Sequence, residues 1–302
     1  MRNIAESPVA IADARGYFRA EGITVESTVF SVSADAIPAL SNGQIDVMPS
    51  SGVSPALFNA ASRGIGLQII GNGGGVAPSH DWFGISVRNE LLQSGRYRGP
   101  ADLKGLKVAI PGMYTPVHYM LKVLLEKNGL TQKDIDLQVL GGPDSVTAMS
   151  NGSLDALVTV EPFVSLAEQN GAGKRVIGAV DITPDITGGV LLMSPELQRR
   201  NPVAAQRFVI AWMRGVRDYQ DAFVKGQRQD DAVGIIRNSQ INYVPIAQTP
   251  SFDPNGRFDA SSMRQLLDWY QSEGVISGSV DFDRLVDFSL VNEAARQLGP
   301  YQ

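Results

Sequence analysis

The feature that most constrains how this chain can fold is a repeated segment. Residues 35–46 read DAIPALSNGQID, and residues 144–155, 109 positions later, read DSVTAMSNGSLD. A shorter parallel lies upstream, where EGIT at 21–24 corresponds to NGLT at 128–131. Two matching pieces in the same order indicate a duplicated supersecondary unit. The repeat therefore predicts two lobes with the same local topology.

Each copy of the repeat predicts a helix followed by a buried strand. The helix would end at Gly43 in the first copy and at Gly152 in the second, because glycine readily adopts the left-handed conformation that closes a helix. The apolar stretches Val47-Met48 and 154–158 then follow. Short apolar runs between helices are typical of parallel-sheet strands. The sequence thus predicts an α/β fold with an open sheet in each lobe.

Proline follows a capping or acidic residue at four places just after a predicted strand. Proline is favoured in the first turn of a helix, and Ser or Thr before it can cap the free amides. In parallel α/β sheets ligands bind at the carboxyl ends of the strands, where helix N-termini point. The pattern favours a ligand site there, although efficient helix initiation alone would also explain it. The four pairs are Ser7-Pro8, Ser54-Pro55, Thr115-Pro116 and Glu161-Pro162.

Later helices are predicted from apolar spacing. One starts at Asn201-Pro202, one runs over about 259–273 and stops at Gly274, and a last one carries residues from Leu285 to Leu298. Residues 242–256 contain three prolines and predict a loop.

Composition excludes several classes of function. The chain of 302 residues has a formal net charge of −5 and no run of basic residues, so we expect no nucleic-acid partner. It has no cysteine, which excludes disulfides, thiolate zinc sites and cysteine nucleophiles. We expect neither a metal nor a cofactor. No apolar stretch approaches the roughly 18 residues of a membrane span, and no signal peptide is recognisable at Met1.

Four motifs, in order along the chain, resemble those of a known family. They are GYF with EGI at 16–23, LSNGQIDV at 40–47, DLKGLKVAIPG at 102–112 followed by Thr115 and His118, and VEPF at 160–163. They resemble segments of the NMT1/THI5-like and SsuA/TauA/NrtA-like solute-binding proteins of ABC transporters. The resemblance covers about residues 9–195.

The resemblance implies a two-lobe type II periplasmic-binding-protein fold with a cleft between the lobes. Lobe one would hold residues 1–87 and 194–302, and lobe two residues 88–193, with hinge strands near 85–88 and 191–194. It also implies a periplasmic or extracytoplasmic, monomeric protein without enzymatic activity. Such a protein closes on a small-molecule ligand and delivers it to a membrane permease.

The family's ligand-binding loops match a defined set of positions here. In order along the chain they are Ser7, Pro8, Val9, Ser50, Ser51, Gly52, Val53, Asn72, Gly73, Gly112, Met113, Tyr114, Thr115, His118, Glu161, Phe163, Thr187 and Gly188. Trp82, beside a predicted hinge strand, is a further candidate contact. The resemblance places 187–188 in lobe two.

Several of these positions have a second interpretation. Ser50-Ser51-Gly52 could hold a carboxylate or sulfonate, or form a polar turn. His118 could donate to an anion or hydrogen-bond within the fold. Glu161 could accept from a ligand or cap its own helix. Trp82 could stack on a planar ligand or pack in the core.

The glycine-rich runs do not predict a nucleotide site. GNGGG at 71–75 lacks the lysine and Ser/Thr of a phosphate-binding loop. In GAGK at 171–174, Arg175 follows where Ser or Thr is needed.

The matched positions contain no arginine or lysine but include aromatic side chains, which favours a planar or aromatic carboxylate as the ligand. The alternative function is an enzyme on the same fold acting on a small aromatic or cyclic acid, with His118 or Glu161 as the acid or base.

Overall fold

The computed structural model describes residues 4–30, 33–78, 80–184, 186–241 and 248–302. The chain forms two compact units. Unit 1 comprises Met1–Gly75, Thr187–Tyr243 and Ser251–Gln302, and unit 2 comprises Val76–Ile186 and Val244–Pro250. Each unit carries one copy of the sequence repeat, as predicted.

The helices and strands alternate over the first two thirds of the chain. The strands are β1 (Val47–Ser51), β2 (Gln68–Asn72), β3 (Phe83–Arg88), β4 (Lys107–Ile110), β5 (Asp136–Val139), β6 (Ala156–Val160), β7 (Gly173–Gly178) and β8 (Val190–Met193). The helices are α1 (Ser7–Ala14), α2 (Tyr17–Ala20), α3 (Ser33–Ser41), α4 (Pro55–Ser62), α5 (Asn89–Gln93), α6 (Pro116–Lys127), α7 (Gly142–Ser150), α8 (Phe163–Gln169), α9 (Pro195–Arg200), α10 (Pro202–Phe223), α11 (Gln229–Asn238), α12 (Ser261–Ser272), α13 (Phe282–Leu285) and α14 (Ser289–Leu298). Short 3₁₀ turns cover Ile4–Glu6, Pro100–Leu103 and Gln132–Asp134.

Each unit has its own sheet, which is antiparallel in unit 1 and mixed in unit 2. In unit 1, β8 lies between β1 and β2 and pairs antiparallel with both. In unit 2 the order is β5-β4-β6-β3-β7, in which β4 pairs parallel with β5 and β6, while β3 runs antiparallel to β6 and β7. The prediction of parallel strands is therefore right for β6 and wrong for β1.

The predicted lobe boundaries and hinges differ from the observed division. Residues 85–88 lie in β3, which is hydrogen-bonded to a strand on each side, and 191–194 begin within β8, which is also paired on both sides. As a consequence, Trp82 belongs to unit 2, and Thr187 and Gly188 belong to unit 1.

The two copies of the repeat have the same backbone hydrogen bonds. Gly43 and Gly152 have φ of 69° and 80°. The Gln44 N–H donates to the carbonyl of Ala39 at 2.9 Å, and the Ser153 N–H donates to the carbonyl of Ala148, also at 2.9 Å. The predicted glycine caps are confirmed in both units.

Proline lies in the first turn of α1, α4 and α6, as predicted, but of the three residues before it only Thr115 makes the predicted cap hydrogen bond. The fourth predicted start differs, because the Glu161-Pro162 peptide is cis and α8 begins one residue later, at Phe163. The helices predicted at 202 and at 259–273 are confirmed as α10 and α12. The predicted last helix is instead two helices, α13 and α14, and residues 242–247 of the predicted loop lie outside the described residues. Among the described helices, none combines the length and apolarity that a membrane span requires.

The packing of α1 on α10 predicts a test. A Cβ at Gly215 would lie 2.1 Å from the Pro8 carbonyl oxygen and 2.9 Å from the Ala12 Cβ. We expect Gly215→Ala to lower the free energy of unfolding by about 1–3 kcal/mol through overpacking. The matched control is Gly234→Ala in α11, where a Cβ has open space and the better helix propensity should stabilise by up to about 1 kcal/mol. Equal effects in urea denaturation would contradict the packing argument.

Candidate functional site

One edge of the unit 2 sheet collects most of the candidate residues of that unit. The parallel strands β4 and β6 end at this edge, where they are followed by residues 111–116 and 161–163. Because β3 runs antiparallel to β6, its first residues start at the same edge, and the Glu161 N–H donates to the Trp82 carbonyl at 2.8 Å. The structure thus brings Gly112, Met113, Tyr114, Thr115, Glu161, Phe163 and Trp82 to one sheet edge.

The loop between β4 and α6 is held by side chains of the helix that follows it. Thr115 Oγ1 accepts from the His118 N–H at 3.2 Å and donates to the Gly112 carbonyl at 3.1 Å. Met113 is exposed, at 39%. Tyr114, which is half-buried, has a φ of 54°. This left-handed conformation is unfavourable for an aromatic residue. The hydrogen bonds of the loop therefore have to hold Tyr114 in it.

Both ring nitrogens of His118 have partners within unit 2. Nδ1 accepts from the Tyr114 N–H at 2.9 Å, and Nε2 lies 3.1 Å from Gln132 Oε1. The side chain is only 3% exposed. Of the two roles that the sequence left open for His118, this geometry supports hydrogen bonding within the fold and not donation to an anion.

Glu161 caps the first turn of α8. Its carboxylate accepts from the Ser165 N–H and the Ser165 hydroxyl, both at 3.0 Å, and from the Gln248 N–H at 3.3 Å. The residue is 1% exposed, and this burial raises the pKa of its carboxyl. The geometry supports the capping interpretation.

Arg175 is a residue of this edge that the sequence analysis missed. Its guanidinium lies 3.0 Å from the Asp81 carboxylate and 3.7 Å from that of Glu161, and it donates to the Phe83 carbonyl at 2.9 Å. Gly84 makes room for it, since a Cβ there would lie 3.3 Å from Arg175 Cζ. Burial raises the pKa of the Asp81 carboxyl, although Arg175 opposes the shift.

The two aromatic candidates of this edge differ in exposure. Trp82 is 3% exposed and its ring centroid lies 4.7 Å from that of Phe83, so it packs in the core. Phe163 is half-buried and covers Gly142, where a Cβ would lie 2.2 Å from the ring. Of the two, Phe163 is the one with surface left for a ligand.

In unit 1, the candidates also meet at one sheet edge. Because β1 and β2 both run antiparallel to β8, they end beside its start, which brings 50–53 and 72–73 close to 187–189. A Cβ at Gly189 would lie 2.8 Å from the Gly73 carbonyl oxygen and 2.8 Å from Ser50 Oγ. Only glycine permits this approach.

Most side-chain polar groups at the unit 1 edge form hydrogen bonds with other residues of unit 1. Asn72 Oδ1 accepts from the Gly74 N–H at 2.6 Å, and Ser51 Oγ donates to the Gly52 carbonyl at 3.3 Å. Thr187 Oγ1 lies 2.7 Å from Ser262 Oγ, and the Thr187 N–H donates to Ser262 Oγ.

Ser54 differs from these residues. It is the N-cap of α4 and is 9% exposed, but its side chain makes no cap hydrogen bond. Its buried Oγ finds no hydrogen-bond partner in the described parts of the chain. The sequence predicts a helix start at Ser54 but no ligand contact there.

The three candidates near the N-terminus are buried or half-buried. Ser7 is fully buried, and its Oγ donates to the Ile4 carbonyl at 2.6 Å. Pro8 is buried with its carbonyl against Gly215, and Val9 is half-buried. The turn Ile4–Glu6 that precedes them touches β1.

The family model described as the NMT1-like family matches residues 1–233. The chain is similar to the riboflavin-binding protein RibY of Chloroflexus aurantiacus, with 28% identity over 230 residues that cover 72% of this chain and 59% of RibY. It spans about three fifths of the length of the curated relatives it matches.

Solved structures show the same fold. The periplasmic aliphatic sulphonate binding protein SsuA of Escherichia coli superposes with a TM-score of 0.71 at 21% identity, over 94% of this chain and 89% of SsuA. The periplasmic nitrate-binding protein NrtA of Synechocystis PCC 6803 gives a TM-score of 0.75 at 17% identity, over 98% and 86%. The chain therefore has the mixed α/β fold of periplasmic binding proteins, as predicted.

The burial of Glu161 predicts a pH dependence of stability. Its pKa is raised, so the folded protein holds this proton more tightly than the unfolded chain. The tighter binding of this proton stabilises the folded state fully at a pH below 4.5, the ordinary pKa of a glutamate. This stabilisation is lost as the pH rises through the raised pKa of Glu161. In urea denaturation, we expect the free energy of unfolding of the wild type minus that of Glu161→Gln to decrease from pH 4.5 to pH 7.

The control is Glu293→Gln in α14. Hydrogen bonds from Arg296 and Gln297 lower the pKa of Glu293 to about 2, so its contribution is present above the ordinary value and is lost as the pH falls. The free energy of unfolding of the wild type minus that of Glu293→Gln should therefore not decrease from pH 4.5 to pH 7. A Glu161 difference that increases with pH would contradict burial as the dominant effect.

Proposed function

The chain belongs to the NMT1-like family, and from this we propose that it is a solute-binding protein of an ABC importer. It binds one small organic molecule and releases it unchanged. The names of RibY, SsuA and NrtA support this proposal, because each describes the binding of a small molecule or ion.

The observation that carries the proposal is the unpartnered hydroxyl of Ser54. A buried hydroxyl without a hydrogen bond is unfavourable, and most such groups in proteins have a partner. Ser54 lies at the N-terminus of α4, where the first amides of the helix favour a negatively charged group. We propose that a ligand oxygen accepts from Ser54 Oγ.

The proposed ligand is a planar or aromatic carboxylate or a similar anion. Half-buried Tyr114 and Phe163 offer ring surface at the unit 2 edge. Arg175, the cation of that edge, lies against Asp81 and Glu161. Neutral donors such as Ser54 and helix amides are therefore the groups proposed to hold the anionic end.

The remaining parts of the proposal concern transport. We propose that the protein acts outside the cytoplasm as a monomer, that its two units close on the ligand by hinge motion, and that the closed form delivers the ligand to a membrane permease. A radius of gyration that does not change when ligand binds, measured by small-angle X-ray scattering, would count against closure.

The alternative is an enzyme on the same fold acting on a small aromatic or cyclic acid. The raised pKa of the Glu161 carboxyl favours this alternative, because acid–base residues of enzymes often have such shifts. The three donors that Glu161 already accepts from favour the capping role instead.

A ligand screen separates these functions. We expect benzoate- or phthalate-type acids, in large excess over their dissociation constants, to raise the melting temperature by an amount equivalent to about 2–4 kcal/mol. The compound should be recovered chemically unchanged. Recovery of an altered compound would favour the enzyme, and stabilisation by alkanesulfonates alone would contradict the proposed ligand class.

Ser54→Ala tests the proposed contact. We expect affinity for the best acid from the screen to fall roughly fivefold or more, as for loss of one hydrogen bond. Stability without ligand should stay the same or rise, because a buried unpartnered hydroxyl is removed. The matched control is Ser86→Ala in β3, whose Oγ is likewise buried and without a partner among the described residues. If both variants bind equally well, Ser54 does not contact the ligand.

A further inference from the structure

The left-handed conformation of Tyr114 depends on a hydrogen bond whose acceptor is His118. The Tyr114 N–H lies 2.9 Å from His118 Nδ1. An amide N–H can only donate, so Nδ1 must be the unprotonated nitrogen of the ring. The neutral imidazole then carries its proton on Nε2.

Gln132 is placed to fix that proton. Its Oε1 lies 3.1 Å from Nε2, and an amide oxygen can only accept. The tautomer required by Tyr114 is therefore the one that Gln132 favours. The two hydrogen bonds form one chain, in which the Tyr114 N–H donates to His118 and His118 donates to Gln132.

The turn that carries Gln132 is itself held in place. Asp134 caps the turn by accepting from the Thr131 N–H and the Thr131 hydroxyl, both at 2.9 Å. The Asp134 carbonyl also accepts from the Gly105 N–H at 2.7 Å. The backbone at Gln132 is therefore held in place, although the residue itself is exposed.

We infer that Gln132 and His118 are positioning residues for Tyr114. Gln132 holds the His118 proton on Nε2, which leaves Nδ1 free to accept the Tyr114 N–H and keeps Tyr114 at positive φ. The inference rests on the proposed function, in which Tyr114 contacts the ligand. It assigns a role in binding to a surface glutamine that follows Tyr114 by 18 positions.

Nuclear magnetic resonance tests the chain of hydrogen bonds without any ligand. The sequence has only two histidines, so a His80→Gln variant identifies the ring signals of His118. In ¹⁵N-labelled protein at neutral pH, we expect two-bond ¹H–¹⁵N correlations to show protonated Nε2 and unprotonated Nδ1. Tyr114 should show the strong HN–Hα cross-peak within the residue that positive φ produces. A His118 ring protonated on Nδ1 would overturn the inference.

Variants test the direction of the effect. Gln132→Met removes the acceptor at similar size, and we expect exchange of the Tyr114 amide to accelerate by roughly fivefold, as for loss of one hydrogen bond. His118→Leu should accelerate it at least as much. His118→Asn should restore protection, because its Oδ1 can take the position of Nδ1. Unchanged exchange in both Gln132→Met and His118→Leu would overturn the inference even with the expected tautomer. Circular dichroism confirms that each variant is folded.

Binding of benzoate gives the functional measurement. We expect Gln132→Met to weaken benzoate binding by about threefold to tenfold, while Lys133→Met in the same turn leaves it unchanged. Equal affinity in the wild type and Gln132→Met would overturn the role in binding. If the wild type does not bind benzoate, the proposed ligand class fails, and the resonance measurements still decide whether Gln132 and His118 position Tyr114.

Discussion

The structure of both sheet edges depends on how polar groups at the carboxyl ends of the strands obtain hydrogen-bond partners. Helix N-termini and loop amides concentrate there, and each buried group left without a partner is unfavourable. In unit 2, Thr115, His118 and Glu161 each accept from an amide of their own loop or helix. These side chains shape the loops before any ligand arrives. In unit 1, Ser54 Oγ is left without such a partner among the described residues, and in unit 2 Thr159 Oγ1 and Arg175 Nη1 are likewise buried without a hydrogen-bond partner.

The two sheet edges have different parts in the proposed function. The unit 2 edge is preorganised and offers the rings of Tyr114 and Phe163 on a fixed backbone. The unit 1 edge has backbone packed so closely at Gly73 and Gly189 that no side chain fits, and it keeps one buried donor. A rigid aromatic surface and a neutral donor at a helix N-terminus suit a flat molecule with an anionic group.

The sequence predicted the features that depend on local chemistry. The glycine caps of both repeat copies and three of the four proline helix starts are set by residues within a few positions of each other. The two compact units divide at other residues than the predicted lobes, because the division depends on the pairing of β3 and β8 with distant strands. The role of Arg175 was missed for the same reason, since Asp81 lies 94 positions away. For His118 and Glu161, the sequence left two roles open. The hydrogen bonds of His118 with Tyr114 and Gln132, and of Glu161 with Ser165 and Gln248, favour the role within the fold.

The most direct test of the central claim is hydrogen–deuterium exchange, followed by mass spectrometry, with and without the acid that binds best. The account predicts slower exchange at both sheet edges, in peptides covering 50–57 and 72–75 of unit 1 and 111–116 and 161–165 of unit 2. Peptides from α10 and α14 should be unaffected and serve as the internal reference. Protection confined to one unit, or found only away from these edges, would contradict the claim that both edges bind the ligand.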